Sequence, residues 1–151
     1  AVKKFAPQFI GRHISLHIEQ IEDSVCTDSK WLGFIIEQLI SNAVKYSKDG
    51  GSVRIYTLHG SDGIKKNSKE DSLQLVIEDT GIGISEEDIP RIMERGFTGY
   101  NGRLDKKSSG IGLYLCRKAA DRLGFVITFD ASYKNGTRVV IDMTQRYTKH
   151  E

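Results

Sequence analysis

Residues 73–79 read LQLVIED, which is the alternation expected of a β-strand. Side chains along a strand alternate between its two faces, so Asp79 shares a face with the apolar residues Leu73, Leu75 and Ile77. The strand therefore ends on a carboxylate that points toward the protein core. A buried carboxylate requires hydrogen-bond partners.

Two interpretations of Asp79 stay open. The residues that follow are Thr80, Gly81, Ile82 and Gly83, so the carboxylate either caps this turn or accepts a hydrogen bond from a ligand donor such as the amino group of adenine. In the second case the two glycines would let the backbone approach a flat ring closely. Asp-Thr-Gly is also typical of aspartic proteases. Those folds are almost wholly β, whereas long helices are predicted here on both sides of the motif.

Upstream, residues 29–46 read SKWLGFIIEQLISNAVKY and predict a long, mostly buried α-helix, because apolar residues dominate and proline is absent. The polar residues Gln38, Ser41, Asn42 and Lys45 stand at i, i+3, i+4 and i+7, and thus on one face. This stripe either faces solvent or lines a ligand groove. An asparagine carbonyl oxygen suits Mg²⁺, and a lysine supplies a point charge for phosphate.

Downstream, residues 111–123 predict a second helix that Gly124 ends. This helix begins beside Gly110 and Gly112, and glycines at a helix start expose backbone N–H groups where the helix dipole attracts anions. The alternative is a loop that needs positive φ angles. The preceding residues 96–109 are rich in glycine and basic residues and predict a mobile loop.

The remaining pattern completes an α+β fold. Further strands are predicted over residues 14–18, near Val25, and over 53–59, 125–130 and 137–143. A solvated loop is predicted at 60–72 and a short helix, capped by Ser85, at 86–93. A hairpin turn is predicted at Asn135-Gly136, and the residues from Gln145 are expected to be frayed. This order predicts a two-layer α/β sandwich, in which helices cover one face of a single mixed sheet.

Composition agrees with one domain. The chain has 151 residues, of which 38% are hydrophobic, and a formal net charge of +2. Near-neutral charge argues against a dedicated nucleic-acid-binding protein, and no apolar run reaches the ~20 residues needed to span a bilayer. Cys26 and Cys116 are far apart in the sequence and suggest neither a disulfide nor a metal site. The four histidines do not show the spacing of metal ligands either.

Four motifs, taken in order, resemble those of sensor histidine kinases. Residues 42–47 (NAVKYS) resemble the N-box, residues 79–84 (DTGIGI) the G1 box, Gly96-Phe97 the F-box and residues 109–113 (SGIGL) the G2 box. The resemblance covers residues 29–143 and extends to the ATPase superfamily that includes gyrase, Hsp90 and MutL. Residues 94–103 (ERGFTGYNGR) are similar to the intramembrane-sensing kinases of Gram-positive bacteria that respond to bacitracin and other cell-wall-active peptides.

The resemblance implies a Bergerat-type ATP-binding fold with a flexible lid at about residues 98–109, and it implies ATP and Mg²⁺ as ligands. Asn42 would coordinate Mg²⁺, with Gln38 as a second candidate, and Lys45 would contact phosphate, so Asn42 and Lys45 are the implied catalytic residues. Asp79 would accept a hydrogen bond from the adenine amino group. The nucleotide-binding residues implied by the motifs are Gln38, Asn42, Lys45, Tyr46, Asp79, Gly81, Gly83, Phe97, Arg103, Lys107, Ser109, Gly110, Ile111, Gly112 and Leu113, with Lys106 as an alternative lid contact.

Two positions depart from the family pattern. The family often has an asparagine one helical turn before Asn42, where this chain has Gln38. ATP-hydrolysing relatives carry a glutamate there as the base that activates water, and a glutamine amide cannot take that role. Glu37 is the next residue, but a helix turns by ~100° per residue, so it faces elsewhere. Ser108 replaces a frequent glycine before the G2 box. The departure at Gln38 favours a kinase over a hydrolase.

The acceptor histidine of these kinases lies on a separate dimerisation domain, and His13 and His17 fall on a predicted strand without that motif. We therefore expect residues 1–151 to be an excised catalytic and ATP-binding domain of a protein-histidine kinase. It would be the cytoplasmic part of a cell-membrane homodimer whose dimerisation and membrane domains lie upstream. The implied partners are that dimerisation domain, a response regulator and, from the subfamily resemblance, a peptide-transporting ABC transporter. The alternatives are a nucleotide-sensing or docking module without kinase activity, and a gyrase- or Hsp90-like ATPase.

Overall fold

The computed structural model describes residues 10–11, 13–19, 24–25, 29–47, 49–59, 73–95, 111–143 and 147–148. The predicted loop at 60–72, the Gly96-Phe97 pair, the lid at 98–109 and Gly110 lie outside these ranges. The strands are β1 (Ser15–Ile18), β2 (Ser24–Val25), β3 (Ser52–His59), β4 (Leu73–Asp79), β5 (Val126–Phe129), β6 (Thr137–Asp142) and β7 (Tyr147–Thr148). The helices are α1 (Ser29–Tyr46) and α2 (Gly112–Leu123), and both lie where the sequence predicts them.

Strand β4 is the middle strand of a five-stranded sheet with the order β1-β3-β4-β6-β5. β1 and β3 are parallel, whereas the other neighbouring pairs are antiparallel. The predicted mixed sheet is therefore confirmed. The register places Asp79 between Val53 of β3 and Thr137 of β6, which decides the surroundings of its carboxylate.

The main core lies between this sheet and the two helices. Ile35 and Leu39 of α1 and Cys116 of α2 pack in one buried cluster with Leu75 and Ile77 of β4. Full burial of a large apolar side chain contributes roughly 1.5–3 kcal/mol, so this cluster fixes the helices on one face of the sheet. The predicted two-layer arrangement is confirmed.

The opposite, outer face of the sheet carries a smaller apolar cluster. It consists of Tyr56, Val76 and Val140, with Leu58 packed against it. All seven residues of β4 are buried, so both faces of this strand are covered. Glu78 follows Val76 on the outer face by the alternation of the strand.

The short helix predicted at residues 86–93 is shorter than expected. This segment is fully described and forms a short 3-10 helix at Ile89–Arg91. Pro90 lacks a backbone N–H and disfavours the α conformation of the residue before it, which prevents a longer helix. Ser85 caps the turn as expected, because its hydroxyl oxygen accepts a hydrogen bond from the Glu87 N–H at 3.3 Å.

The predicted hairpin is confirmed, since β5 and β6 pair antiparallel, but the connection is longer than the Asn135-Gly136 pair. The connection runs over residues 130–136. The chain turns at the start of this connection, where Oδ1 of Asp130 accepts hydrogen bonds from the Ser132 N–H at 2.9 Å and the Ser132 hydroxyl at 2.6 Å. An aspartate that accepts a hydrogen bond from the backbone two residues later stabilises such a turn. The turn therefore forms at Asp130 and not at Gly136.

Two further predictions concern the end of α2 and the residues from Gln145 onward. Gly124 ends α2 as expected, with a left-handed φ of 77°. The expectation of frayed residues from Gln145 is wrong at Tyr147–Thr148, which pair antiparallel with Ser24–Val25. Pairing between segments near opposite ends of a chain leaves no local periodicity in the sequence.

Candidate functional site

The polar stripe of α1 meets the start of α2. A Cβ atom added to Gly112 would lie 2.7 Å from Oε1 of Gln38, so a larger residue at this position would displace the amide. Gln38, Ser41 and Asn42 are all partly exposed. Gln38, one helical turn before the predicted N-box, is thus a neighbour of the predicted G2 box in the fold.

The start of α2 has the properties of an anion site. Its N-cap residue, Ile111, makes no side-chain capping hydrogen bond. The first N–H groups of an α-helix have no partner within the helix, and the helix dipole adds partial positive charge there. Ile111 and Leu113 are partly buried at this end, with Leu113 packed against the main core.

The end of α1 meets the turn that follows β4. A Cβ atom on Gly81 would overlap the carbonyl oxygen of Tyr46 and lie 2.8 Å from its carbonyl carbon. The Ile82 N–H donates a 3.2 Å hydrogen bond to the same oxygen. A carbonyl in the last turn of a helix needs such an outside partner. Lys45 lies one residue earlier, and its Nζ stands 5.4 Å from the centre of the Tyr46 ring.

Asp79 lies at the bottom of this turn and is only 5% exposed. Its Oδ1 accepts hydrogen bonds from the Gly81 N–H at 2.8 Å and from the Thr137 N–H at 3.3 Å. Burial raises the pKa of Asp79 to about 6, although these two hydrogen bonds favour the ionised form. The carboxylate therefore caps its own turn, which is the first of the two sequence interpretations. The second interpretation concerns Oδ2, to which no residue in the described ranges donates a hydrogen bond.

Gly136 holds the backbone around Asp79, a role that the sequence does not reveal. A Cβ atom on Gly136 would overlap the Asp79 carbonyl oxygen and lie 2.9 Å from the Gly81 nitrogen. Gly83, at φ 76°, packs on the other side, since its added Cβ would lie 3.1 Å from the Gly136 carbonyl oxygen. The only trace in the sequence is a glycine placed directly before β6, and its partner follows from the strand register alone.

The structure thus brings the predicted residues together in two groups. Gln38 lies beside Gly112, with Asn42 and Lys45 on the same face of α1, and Tyr46 lies beside Gly81. Phe97, Arg103, Lys106, Lys107, Ser109 and Gly110 lie outside the described residues. The remaining predicted residues lie on α1, at the start of α2, and at the end of β4 and in the turn that follows it.

Comparison with known proteins agrees with this arrangement. The model of the family described as "Histidine kinase-, DNA gyrase B-, and HSP90-like ATPase" matches residues 27–146. The sensor protein BceS of Bacillus subtilis (strain 168) is 37% identical over 136 residues, which cover 90% of this chain and 38% of that protein. The sensor protein kinase GraS of Staphylococcus aureus (strain JH1) is 39% identical over 120 residues, which cover 80% of this chain and 32% of that protein. The predicted resemblance to Gram-positive sensor kinases is confirmed.

The chain spans about a third of the length of these two relatives. Among solved structures, the mycobacterial sensor histidine kinase MprB superposes with a TM-score of 0.77 at 24% identity, over 97% of this chain and 94% of that chain. This likeness confirms the predicted fold class.

Proposed function

Since the chain belongs to the histidine kinase-, DNA gyrase B- and HSP90-like ATPase family and is an ATP-binding catalytic domain of the kind that sensor histidine kinases carry, we propose that it donates the γ-phosphoryl group of MgATP to a histidine. The acceptor would lie on a separate dimerisation domain, and a response regulator would receive the phosphoryl group next. One observation carries the proposal: Gly112 lies against Gln38 while Gly81 lies against the end of the same helix. The turn after β4 and the start of α2 therefore flank a single polar stripe.

Asp79 is proposed to recognise adenine. Its carboxylate is buried at the end of β4, and the hydrogen bonds from Gly81 and Thr137 both end on Oδ1. Oδ2 is then the acceptor for the amino group of the base. Gly81 and Gly83 would shape the adenine side of the site, because without a Cβ they let this turn approach the backbones of Tyr46 and Gly136 closely.

The phosphate groups are proposed to lie at the start of α2. The backbone N–H groups there favour an anion, and Lys45 on the α1 stripe supplies positive charge. Asn42 and Gln38 offer amide oxygens, which are suitable donors for Mg²⁺, and Gly112 leaves room for the Gln38 amide beside the helix start. Bound with the phosphates, Mg²⁺ would neutralise charge that develops during transfer. Tyr46, Ile111 and Leu113 would border the nucleotide, and the lid contacts Phe97, Arg103, Lys107, Ser109 and Gly110 stay predictions.

The chemistry at Gln38 favours phosphoryl donation over hydrolysis. A glutamine amide cannot accept a proton from water, so the domain lacks a base at the position where hydrolysing relatives carry glutamate. For phosphoryl transfer the protein chiefly positions groups and neutralises charge, which the stripe and the α2 start can do. The nucleophile and its proton acceptor would come from the dimerisation domain.

The cellular setting is part of the same proposal. We infer that residues 1–151 form one catalytic domain of a longer, homodimeric, membrane-bound sensor, with this part on the cytoplasmic side and a peptide-transporting ABC transporter as a further partner. The identity to BceS and GraS supports this placement. Within the described ranges, no helix has the length and apolar character needed to cross a membrane.

Two measurements test the proposed function. Calorimetry should detect binding of MgADP and of a non-hydrolysable ATP analogue to the isolated domain, and absence of both would refute the nucleotide site. The domain is then mixed with the dimerisation domain of the same protein and γ-labelled ATP. Label on histidine supports the kinase, whereas nucleotide binding without transfer favours a nucleotide-sensing module. Release of labelled phosphate without transfer favours a gyrase- or Hsp90-like ATPase.

A further inference from the structure

Glu78 is a buried carboxylate on the outer face of the sheet, opposite to Asp79. It is 7% exposed and stands in register between Arg54 of β3 and Arg138 of β6. Arg138 Nε donates a 2.5 Å hydrogen bond to Oε2 of Glu78, and the Tyr56 hydroxyl donates to the same oxygen at 3.0 Å. Arg54 is more distant, with 3.9 Å between its NH1 and Oε1 of Glu78.

Arg138 connects this carboxylate to the loop at residues 130–136. Its NH1 donates a 3.1 Å hydrogen bond to Oδ2 of Asp130, and its guanidinium carbon lies 4.4 Å from the centre of the Tyr133 ring. A planar guanidinium can form bonds in two directions and stack on a ring at the same time. Arg138 thus ties Glu78 in the sheet to two residues of the loop.

The loop borders a cavity on its inner side, whereas the contacts of Arg138 hold it from the outer side. A cavity of about 320 Å³ lies between the loop and the turn after β4, bordered by Gly83, Ile84, Tyr133 and Gly136. The loop ends at Gly136, which packs against the backbone of Asp79. Strand β6 begins at Thr137, whose N–H donates to Oδ1 of Asp79.

We propose that Glu78 and Arg138 are positioning residues for adenine recognition, which act by holding the loop at 130–136 so that Gly136 and Thr137 direct the Asp79 carboxylate. Glu78 orients Arg138 from the outer face, Arg138 holds Asp130 and Tyr133, and the loop leads into Thr137, whose N–H donates to Oδ1. This inference rests on the proposed function, since it assumes that Asp79 recognises the amino group of adenine.

The test measures base selectivity rather than stability alone. Dissociation constants are determined by calorimetry at low temperature for ADP and for purine riboside 5′-diphosphate, which lacks the amino group. Wild-type protein should prefer ADP by about tenfold or more, as one good hydrogen bond to a charged group allows. Glu78→Gln and Arg138→Lys should reduce that preference by at least about fivefold, with little change in the affinity for the purine analogue.

Arg54→Lys is the matched control, because Arg54 is another guanidinium near Glu78 but is 51% exposed and farther from it. It should keep the preference for ADP. Thermal melting of each variant shows whether it is folded at the temperature of the calorimetry. A purely structural role would lower melting temperature and both affinities together, without changing their ratio, and that result would overturn the proposal.

Asp79→Asn separates this inference from the proposed function. Should Asp79→Asn keep the preference for ADP, the adenine role of Asp79 is wrong. Should it lose the preference while Glu78→Gln and Arg138→Lys retain theirs, the adenine role stands and the positioning role is wrong. Equal loss of preference in Arg54→Lys would mean that the effect does not depend on the contacts of Arg138, and would also overturn the positioning role.

Discussion

Gln38 and Gly112 meet where the two helices come together, with only 2.7 Å between Oε1 of Gln38 and the place where a Cβ of Gly112 would lie. The contact leaves no room for a side chain while the amide keeps its place. Because the amide is the flexible end of a long side chain, it can move away from an added methyl group, whereas a backbone atom cannot. Substitution at Gly112 therefore affects the site more than the fold.

We expect Gly112→Ala to weaken MgADP binding about tenfold, ~1.4 kcal/mol, without loss of stability. The methyl group displaces the Gln38 amide beside the phosphates, while alanine is the better helix former. Calorimetry and urea unfolding measure the two effects separately. Gly33→Ala is the matched control, because an added Cβ in this α1 glycine meets nothing within 4 Å. It should stabilise the protein by ~0.5–1 kcal/mol and leave binding unchanged. Unchanged MgADP affinity in Gly112→Ala would contradict the phosphate role of this contact.

Gln38→Glu tests whether the lack of a base at position 38 prevents the domain from hydrolysing ATP. The glutamate has the same length and can accept a proton from water, and a positioned base typically contributes 10²–10⁴-fold. We expect phosphate release from the isolated domain to rise by at least about tenfold, as measured with labelled ATP. Glu37→Gln, one residue away on another side of α1, should leave the rate unchanged. If Gln38→Glu binds MgATP but releases no more phosphate than wild type, Gln38 does not occupy the position of the base.

Gly136→Ala should be strongly destabilising. The added Cβ overlaps the Asp79 carbonyl oxygen and lies 2.8 Å from the carbonyl carbon, so backbone rather than side chain has to move. We expect a loss of about 3 kcal/mol in the free energy of unfolding, measured with urea, together with loss of ADP binding. Asn135→Ala is the control. If Asn135 formed a tight turn, this substitution would lower the free energy of unfolding, whereas in the observed loop it should change that energy by less than ~0.5 kcal/mol. The reverse ranking of the two variants would refute the contact between Gly136 and β4.

The helix α1, its polar stripe and the inward direction of Asp79 could all be predicted, because each depends on spacing along the chain. The role of Gly136 could not be predicted, since it follows from the register of β4 with β6. The partnership of Glu78 with Arg138 depends on the same register. Near Gly136, the local turn chemistry was ambiguous, because both Asp130 and Asn135-Gly136 can turn a chain.

The pH dependence of stability should report the burial of Asp79. Burial raises its pKa from the ordinary 3.8 to about 6, against the two backbone hydrogen bonds. The folded protein therefore binds this proton more tightly than the unfolded chain, and the stability that results is fully present below 3.8 and lost as the pH rises through about 6. A difference of this size corresponds to ~3 kcal/mol. We expect nucleotide-free Asp79→Asn to be more stable than wild type by ~2–3 kcal/mol at about pH 8, and nearly equal to it at about pH 4.

Urea unfolding of both proteins across this range is the measurement, and the difference between them cancels the titration of the other carboxylates. Asparagine cannot ionise, and its amide oxygen can accept the hydrogen bonds from Gly81 and Thr137 that end on Oδ1 in the wild type. ADP binding should show the opposite trend, because an ionised carboxylate accepts a stronger hydrogen bond from the amino group of adenine than a neutral carboxyl group does. Wild-type affinity for ADP should therefore fall as the pH drops below about 6. A stability difference that does not grow between about pH 4 and about pH 8 would mean that Asp79 ionises at no cost to the fold, and its burial would then not explain the titration of ADP binding.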